Sequence, residues 1–379
     1  MAPLGLYLHI PFCASLCGYC TFTRSRLDDD LRRAYVHALE REIRESGAGG
    51  DPARAPADTL YFGGGTPSLL EPAEVRRLVA ACRDEFALDL AAEITLEANP
   101  ESVDAARLAG FREAGINRLS LGVQSFRDEE LARLGRVHTT HRARAAGAEA
   151  RAAGFENVSL DLMMGLPGQS LDEWLASVDE LIALSPAHAS LYLLELHDHV
   201  PFGRESARRG FTPLGDDEAA DMYLAGMERV EGAGLCQYEI SSVARPGQES
   251  RHNLKYWTDG DWIGFGCGAH STRNGIRWKN VPGTGDYIDR VVTGQGPAVE
   301  RQVMTARQRL EDALFMGLRL TAGVDADALG AQYGAAAWAC CGDRLAPFVE
   351  AGLLVREAGR LRLTRPGMLL ASEVMMSFV

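Results

Sequence analysis

The sequence predicts an α/β fold in which six strand–helix units build a parallel sheet. Three observations carry that reading. Short apolar runs of strand length recur through the first two hundred residues, at Leu6–Ile10, Thr59–Phe62, Glu93–Glu97, Arg118–Val123, Val158–Met164 and Ser190–Leu194. Amphipathic stretches of helical period lie between them, at Asp28–Ser46, Pro72–Phe86, Ser102–Ala114, Ala143–Gly154 and Leu171–Leu184. Glycines and polar residues then cluster where the apolar runs end, and that edge is where a parallel sheet holds its ligands. Six units are fewer than the eight of a closed barrel, and periodicity leaves open whether the sheet curls.

The first run leads directly into Cys13, Cys17 and Cys20, spaced C-x3-C-x2-C. Thiolates suit iron–sulfur clusters and zinc. Three of them leave one iron of a four-iron cluster open to a small molecule, whereas a structural zinc takes four protein ligands. The second run ends in Gly63-Gly64-Gly65-Thr66-Pro67, where the glycines either make a tight turn or allow close backbone approach to a polar ligand. The third ends at Glu97, which alone reads as a solvated edge carboxylate, the alternative being an acceptor for ribose hydroxyls. Gln124 closes the fourth, with Arg136 following, and Asp161 interrupts the apolar fifth, where a buried acid needs a partner.

Beyond residue 200 the rhythm loosens. A helix over Asp216–Gly232 and a strand over Gln237–Ser242 precede the motif His252-Asn253-Leu254-Lys255-Tyr256-Trp257. A second dense patch, 262–270, places aromatic residues beside Cys267 and His270; on residue type it reads as a packed core edge with a hydrogen-bonded histidine, the alternative being a wall for a flat, apolar ligand. The glycine-rich stretch 283–297 reads as a linker or surface excursion. Helical stretches at Ala306–Leu318, Asp325–Tyr333 and Leu345–Ala351, then a hairpin from Leu353–Val355 to Arg360–Thr364, predict a winged-helix-like unit at the end. Cys340 and Cys341, on a helical run within it, read as packed thiols.

Composition narrows the function classes. A formal charge of −13 opposes a nucleic-acid partner. No apolar run is long enough to span a bilayer, and no signal-peptide pattern opens the chain. Eight cysteines without an export signal imply reduced, cytoplasmic thiols.

Taken in order, YLHIPFCxxxCxYC, YFGGGTPS, LEANP, GVQSF and DLMMGLPGQ resemble the radical S-adenosylmethionine (SAM) superfamily, in the group containing oxygen-independent coproporphyrinogen III dehydrogenase. The resemblance implies a partial (β/α)6 barrel with a [4Fe-4S] cluster on Cys13, Cys17 and Cys20. It also implies a SAM site at Tyr7, Gly64, Gly65, Thr66, Glu97, Gln124, Arg136 and Asp161. Two features separate branches of the group. The dehydrogenases carry a fourth cysteine two places after the third, where this chain has Phe22, and they extend further upstream of the loop. The His252-Asn253-x-x-Tyr256-Trp257 pattern is similar to that of the HemW heme chaperones, which implies heme as cargo, His252 as its iron contact, and Cys267 and His270 as reserves. Acceptor hemoproteins, among them membrane-bound respiratory enzymes, a reductant for the cluster and a homodimer are implied with it. The expected organisation is a barrel over 1–235, an extension with the HNxxYW motif over 236–300 and a small domain over 301–379. A radical oxidoreductase acting on a porphyrinogen is the alternative, and a structural zinc protein the third reading.

Overall fold

Alternation along the strands decides which residues face the helices and which face each other. In the computed structural model, which describes residues 3–47, 56–196, 200–204 and 214–378, six strands pair in parallel and in sequence order. They are β1 (Leu4–Ile10), β2 (Ala57–Gly64), β3 (Leu88–Ala98), β4 (Arg118–Gln124), β5 (Asn157–Met164) and β6 (His188–Leu193). Leu6, Leu8, Leu60, Phe62, Leu96, Leu119, Leu121 and Leu162 are buried on the outer face with the helices. The intervening positions are polar and face a common interior: Tyr61 bonds Glu97, Ser120 bonds Asp161, and Ser159 bonds His188. Both faces are covered, as a parallel sheet requires, but one is oil and the other a hydrogen-bonded lumen.

Each predicted strand and helix of this region is present, within a few residues at its ends. The helices are capped as their sequences indicate: the Leu171–Ala183 helix has a reciprocal Ser170–Glu173 capping box, and the Pro72–Phe86 helix has Pro72 in its first turn. Trp174, 1 % exposed, donates its indole N–H to the Met222 carbonyl at 2.9 Å and pins the Asp216–Gly232 helix beside its own.

The sheet is wider than six strands. On the β6 side the chain adds β7 (Cys236–Gln237) and β8 (Ser242–Ala244), antiparallel, so the predicted strand over 237–242 is instead a bend between two short ones. On the other side β9 (Trp262–Phe265) pairs in parallel with β1, and β10 (His270–Arg273), β11 (Ile276–Asn280) and β12 (Ala298–Val303) follow antiparallel. The patch 262–270 is therefore largely sheet; four residues with a glycine among them carry too little alternation to show it. The stretch 283–297 is likewise not a plain linker. It holds a helix, Thr284–Val292, whose Tyr287 and Val291, one turn apart, are buried in the main core.

The C-terminal residues build a second hydrophobic core around Leu310, Leu314, Cys341, Leu345, Leu363 and Val374. The helix predicted over 345–351 is the end of a longer one, Ala335–Glu350, and the hairpin gains a third short strand, Val324–Asp325. Cys341 is buried as expected, while Cys340 is exposed.

Candidate functional site

At the C-terminal edge of the strands lies a cavity of about 320 Å³, and most of the residues singled out from sequence meet there. Cys13, Cys17 and Cys20 line it together with Gly64, Gly65, Thr66, Glu97, Gln124, Arg136 and Asp161. The cysteine loop is placed by β1 and held from behind. His9 Nε2 donates to the Thr23 carbonyl at 2.9 Å, so its Nδ1 accepts the Tyr7 hydroxyl at 3.1 Å. Arg24 donates to the Cys20 carbonyl at 2.8 Å. Burial pushes the Cys13 thiol up, against a hydrogen bond from Thr66 and the nearby Arg24 charge.

Arg136 ties the loop to the strands. One guanidinium nitrogen lies 3.6 Å from Cys17 Sγ, and another donates to Asn99 Oδ1 at 2.6 Å and to the Gly122 carbonyl at 2.7 Å. A Cβ on Gly122 would sit 3.0 to 3.4 Å from Gln124, Asn99 and Arg136, so glycine is what lets those three converge. Gln124 itself has φ +68°, a left-handed conformation that costs a non-glycine residue about 1–3 kcal/mol and concentrates at functional sites.

The two acids differ in support. Glu97 accepts the Tyr61 hydroxyl at 2.8 Å and the Gly64 N–H at 3.1 Å. Desolvation outweighs these bonds and holds its carboxyl at about 7. Asp161 accepts Ser120 at 3.0 Å and Ser159 at 3.2 Å, the partners its apolar surroundings demand; burial raises its carboxyl too. The guanidinium of Arg118, 2 % exposed at the foot of β4, opposes the shift at both acids.

Tyr7 and His252 lie outside this cavity, deeper in the lumen. Their rings stack with Tyr61, at 6.2 Å for Tyr7 and 5.1 Å for His252. His252 is fully buried on the Arg251–Trp257 helix, which packs against β2 and β3. Its Nδ1 is 2.9 Å from the Thr59 hydroxyl and its Nε2 2.8 Å from the Tyr256 hydroxyl, while its backbone N–H donates to Glu93 at 3.0 Å. Burial, with Lys255 and Arg118 nearby, lowers its imidazole to about 3, so the ring is neutral. Trp257 reaches the C-terminal unit, with Arg319 4.7 Å over its ring. Of the reserves, Cys267 is buried behind Tyr35, 3.6 Å from its hydroxyl, and His270 sits exposed on β10; neither lines the cysteine cavity.

Several participants went unread in the sequence. Asn99 joins Arg136 to Thr66, at 3.1 Å from the Thr66 hydroxyl, and Tyr19 lines the cavity beside the thiols. Asn-Pro directly after a strand was the available signal for Asn99. Phe22 stands at the cavity mouth, 68 % exposed.

The donor set and the space fit a cluster with a polar ligand beside it. Three soft thiols line one wall, and hydrogen-bonding groups from β2 to β5 line the other. A Cβ on Gly65 would meet the Phe12 carbonyl oxygen at 2.7 Å, so the glycine run keeps β2 tight under the loop. Among the described residues, no three histidine, cysteine or acidic side chains converge as a single metal ion would require.

Comparison with known proteins agrees with this layout. The radical SAM superfamily profile matches residues 7–181, and the HemN C-terminal domain profile matches residues 304–370. The chain is 36% identical over 377 residues to a protein named heme chaperone HemW of Bacillus subtilis, covering 98% of each chain. It is 41% identical over 272 residues to the Escherichia coli protein of that name, covering 71% of this chain and 70% of that one. Among solved structures, coproporphyrinogen III oxidase (HemN) from Escherichia coli, a radical SAM enzyme, superposes with a TM-score of 0.85 at 25% identity, covering 99% of this chain and 90% of that one.

Proposed function

The chain belongs to the HemW family of the radical SAM superfamily, and on that premise we propose that it is a heme chaperone, binding heme and passing it to acceptor hemoproteins. The observation that carries the reading is likeness to chaperones over 98% of both chains, at 36% identity. Phe22, exposed at the cavity mouth where the dehydrogenases carry a further cysteine, supports it.

In this reading Cys13, Cys17 and Cys20 hold a [4Fe-4S] cluster, and Gly64, Gly65, Thr66, Glu97, Gln124, Arg136 and Asp161 hold SAM. When bound, this pair supplies an electron and, on SAM cleavage, a 5′-deoxyadenosyl radical. The protein's own contribution is positional. Arg136 offsets thiolate charge at Cys17 and fixes Asn99. Glu97 offers its carboxylate to the ribose hydroxyls, and Tyr7 orients His9 and thereby the loop. His252 is the proposed iron contact. Its Nε2 bonds the Tyr256 hydroxyl on the same helix, so in this reading ligation through Nε2 exchanges that bond for iron while Nδ1 keeps its bond with Thr59.

Titrating cluster-loaded protein with hemin tests this: a Soret band develops in the parent, and His252→Ala weakens binding. Unchanged affinity in a variant with parental circular dichroism removes His252 from the role. The HemN-like fold supports radical oxidoreductase chemistry as a second reading, which predicts protoporphyrinogen from coproporphyrinogen III, SAM and a reductant; the chaperone reading predicts none.

A further inference from the structure

A larger cavity, about 480 Å³, lies on the outer face of the sheet near its β12 edge, on the side away from the lumen that holds His252. Its size falls within the roughly 300–1,000 Å³ usual for ligand sites. The floor is apolar: Ile263 and Phe265 from β9, Ile276 and Trp278 from β11, and Val291 from the Thr284–Val292 helix. Register brings two arginines to the same face. Arg273 pairs with Ile276 across β10 and β11, and the Arg301 guanidinium lies 5.6 Å over the Trp278 ring.

The charges make this more than a groove. On the opposite face of the same strands, Arg277 and Lys279 are neutralised by Asp312 and Glu300. Among the described residues, Arg273 and Arg301 form no ion pair, although both line the cavity. The acids that also line it are already engaged. Glu42 accepts the Tyr287 hydroxyl at 2.6 Å, the Asn280 amide at 2.7 Å and the Gly266 N–H at 2.9 Å, and Glu45 is paired with Arg41. An apolar, indole-bearing floor with two guanidinium groups that no acid neutralises among the described residues, one of them already over the indole, suits a flat, mostly apolar ligand with anionic ends.

We propose that this cavity is a porphyrin docking site, with the macrocycle on Trp278 and its neighbours and the carboxylates on Arg273 and Arg301. The proposal rests on the heme-chaperone reading and adds a site that the HNxxYW helix does not form. Among the described residues, no histidine, cysteine, methionine or tyrosine lines the cavity, so recognition is by ring and carboxylates and does not need iron.

The test titrates the full chain with hemin and with iron-free protoporphyrin IX, following tryptophan quenching and porphyrin absorbance. The parent binds both. Replacing both arginines (Arg273→Gln with Arg301→Gln) weakens both porphyrins about tenfold, as two partly exposed ion pairs allow, and Trp278→Leu weakens them by packing alone. His252→Ala affects hemin but leaves the iron-free ring bound. If the double-arginine and Trp278→Leu variants bind iron-free porphyrin as the parent does, or the parent binds only hemin, the docking site is wrong and the chaperone reading stands. If the parent binds neither porphyrin, the chaperone reading itself falls.

Discussion

Glu97 offers a quantitative handle on the SAM site. Its carboxyl, held at about 7 by desolvation against the Tyr61 and Gly64 hydrogen bonds, is half protonated near neutrality in the ligand-free protein. A ribose needs the carboxylate as acceptor, so only the ionised fraction is competent and apparent affinity scales with that fraction. With a midpoint of about 7, about one molecule in eleven is competent at pH 6 and about ten in eleven at pH 8. SAM binding therefore tightens about tenfold between the two. The SAM amine also titrates, and Glu97→Gln separates the effects: the variant loses the charge-assisted bonds, about 1.5–3 kcal/mol, and with them the Glu97 share of the pH slope. Anaerobic equilibrium dialysis of cluster-loaded protein at pH 6, 7 and 8 supplies the numbers. Parallel pH profiles for parent and variant would refute the assignment of Glu97 to the ribose.

Two further predictions concern the frame. Gly65→Ala forces a Cβ to 2.7 Å from the Phe12 carbonyl oxygen and 2.9 Å from that of Pro11, backbone atoms that cannot swing aside; iron and sulfide per chain fall, and stability drops by about 1–3 kcal/mol. Gly147→Ala, which meets nothing within 4 Å on the Thr140–Ala152 helix, is the control and stabilises by up to about 1 kcal/mol. Glu42, raised from 4.5 to about 7 chiefly by burial, binds its proton more tightly folded than unfolded. Its contribution is complete below pH 4.5 and is lost as pH rises through 7, about 3 kcal/mol in all. The thermal midpoint of the cluster-free chain should fall from pH 5 to pH 8, and Glu42→Gln should flatten that fall; an unchanged slope would contradict it.

The sequence carried the α/β rhythm because β1 to β6 alternate with helices of which the clearest, Pro72–Phe86 and Leu171–Ala183, have a distinct apolar stripe and a capping box. The thiols, the glycines and Glu97 were legible because each sits at or next to a strand end, where chain order alone brings them to one edge. What escaped depended on pairing between distant segments. The parallel partnership of Trp262–Phe265 with β1 is set by 250 residues of intervening fold, and four residues cannot announce it. Arg118 looks like an ordinary strand start until the lumen closes around it beside Glu97 and Asp161. His252 looked like an open metal ligand, and only the packing of its helix shows both ring nitrogens bonded, Nδ1 to Thr59 and Nε2 to Tyr256.

Heme transfer tests the central claim most directly. The full chain, loaded with cluster and hemin and then mixed with an apo-hemoprotein acceptor, should lose its Soret band as the holo-acceptor's spectrum grows. Transfer should be faster than from free hemin at equal concentration. Binding without transfer to any apo-acceptor, together with enzyme-like conversion of coproporphyrinogen III, would contradict the account and make this fold an oxidoreductase.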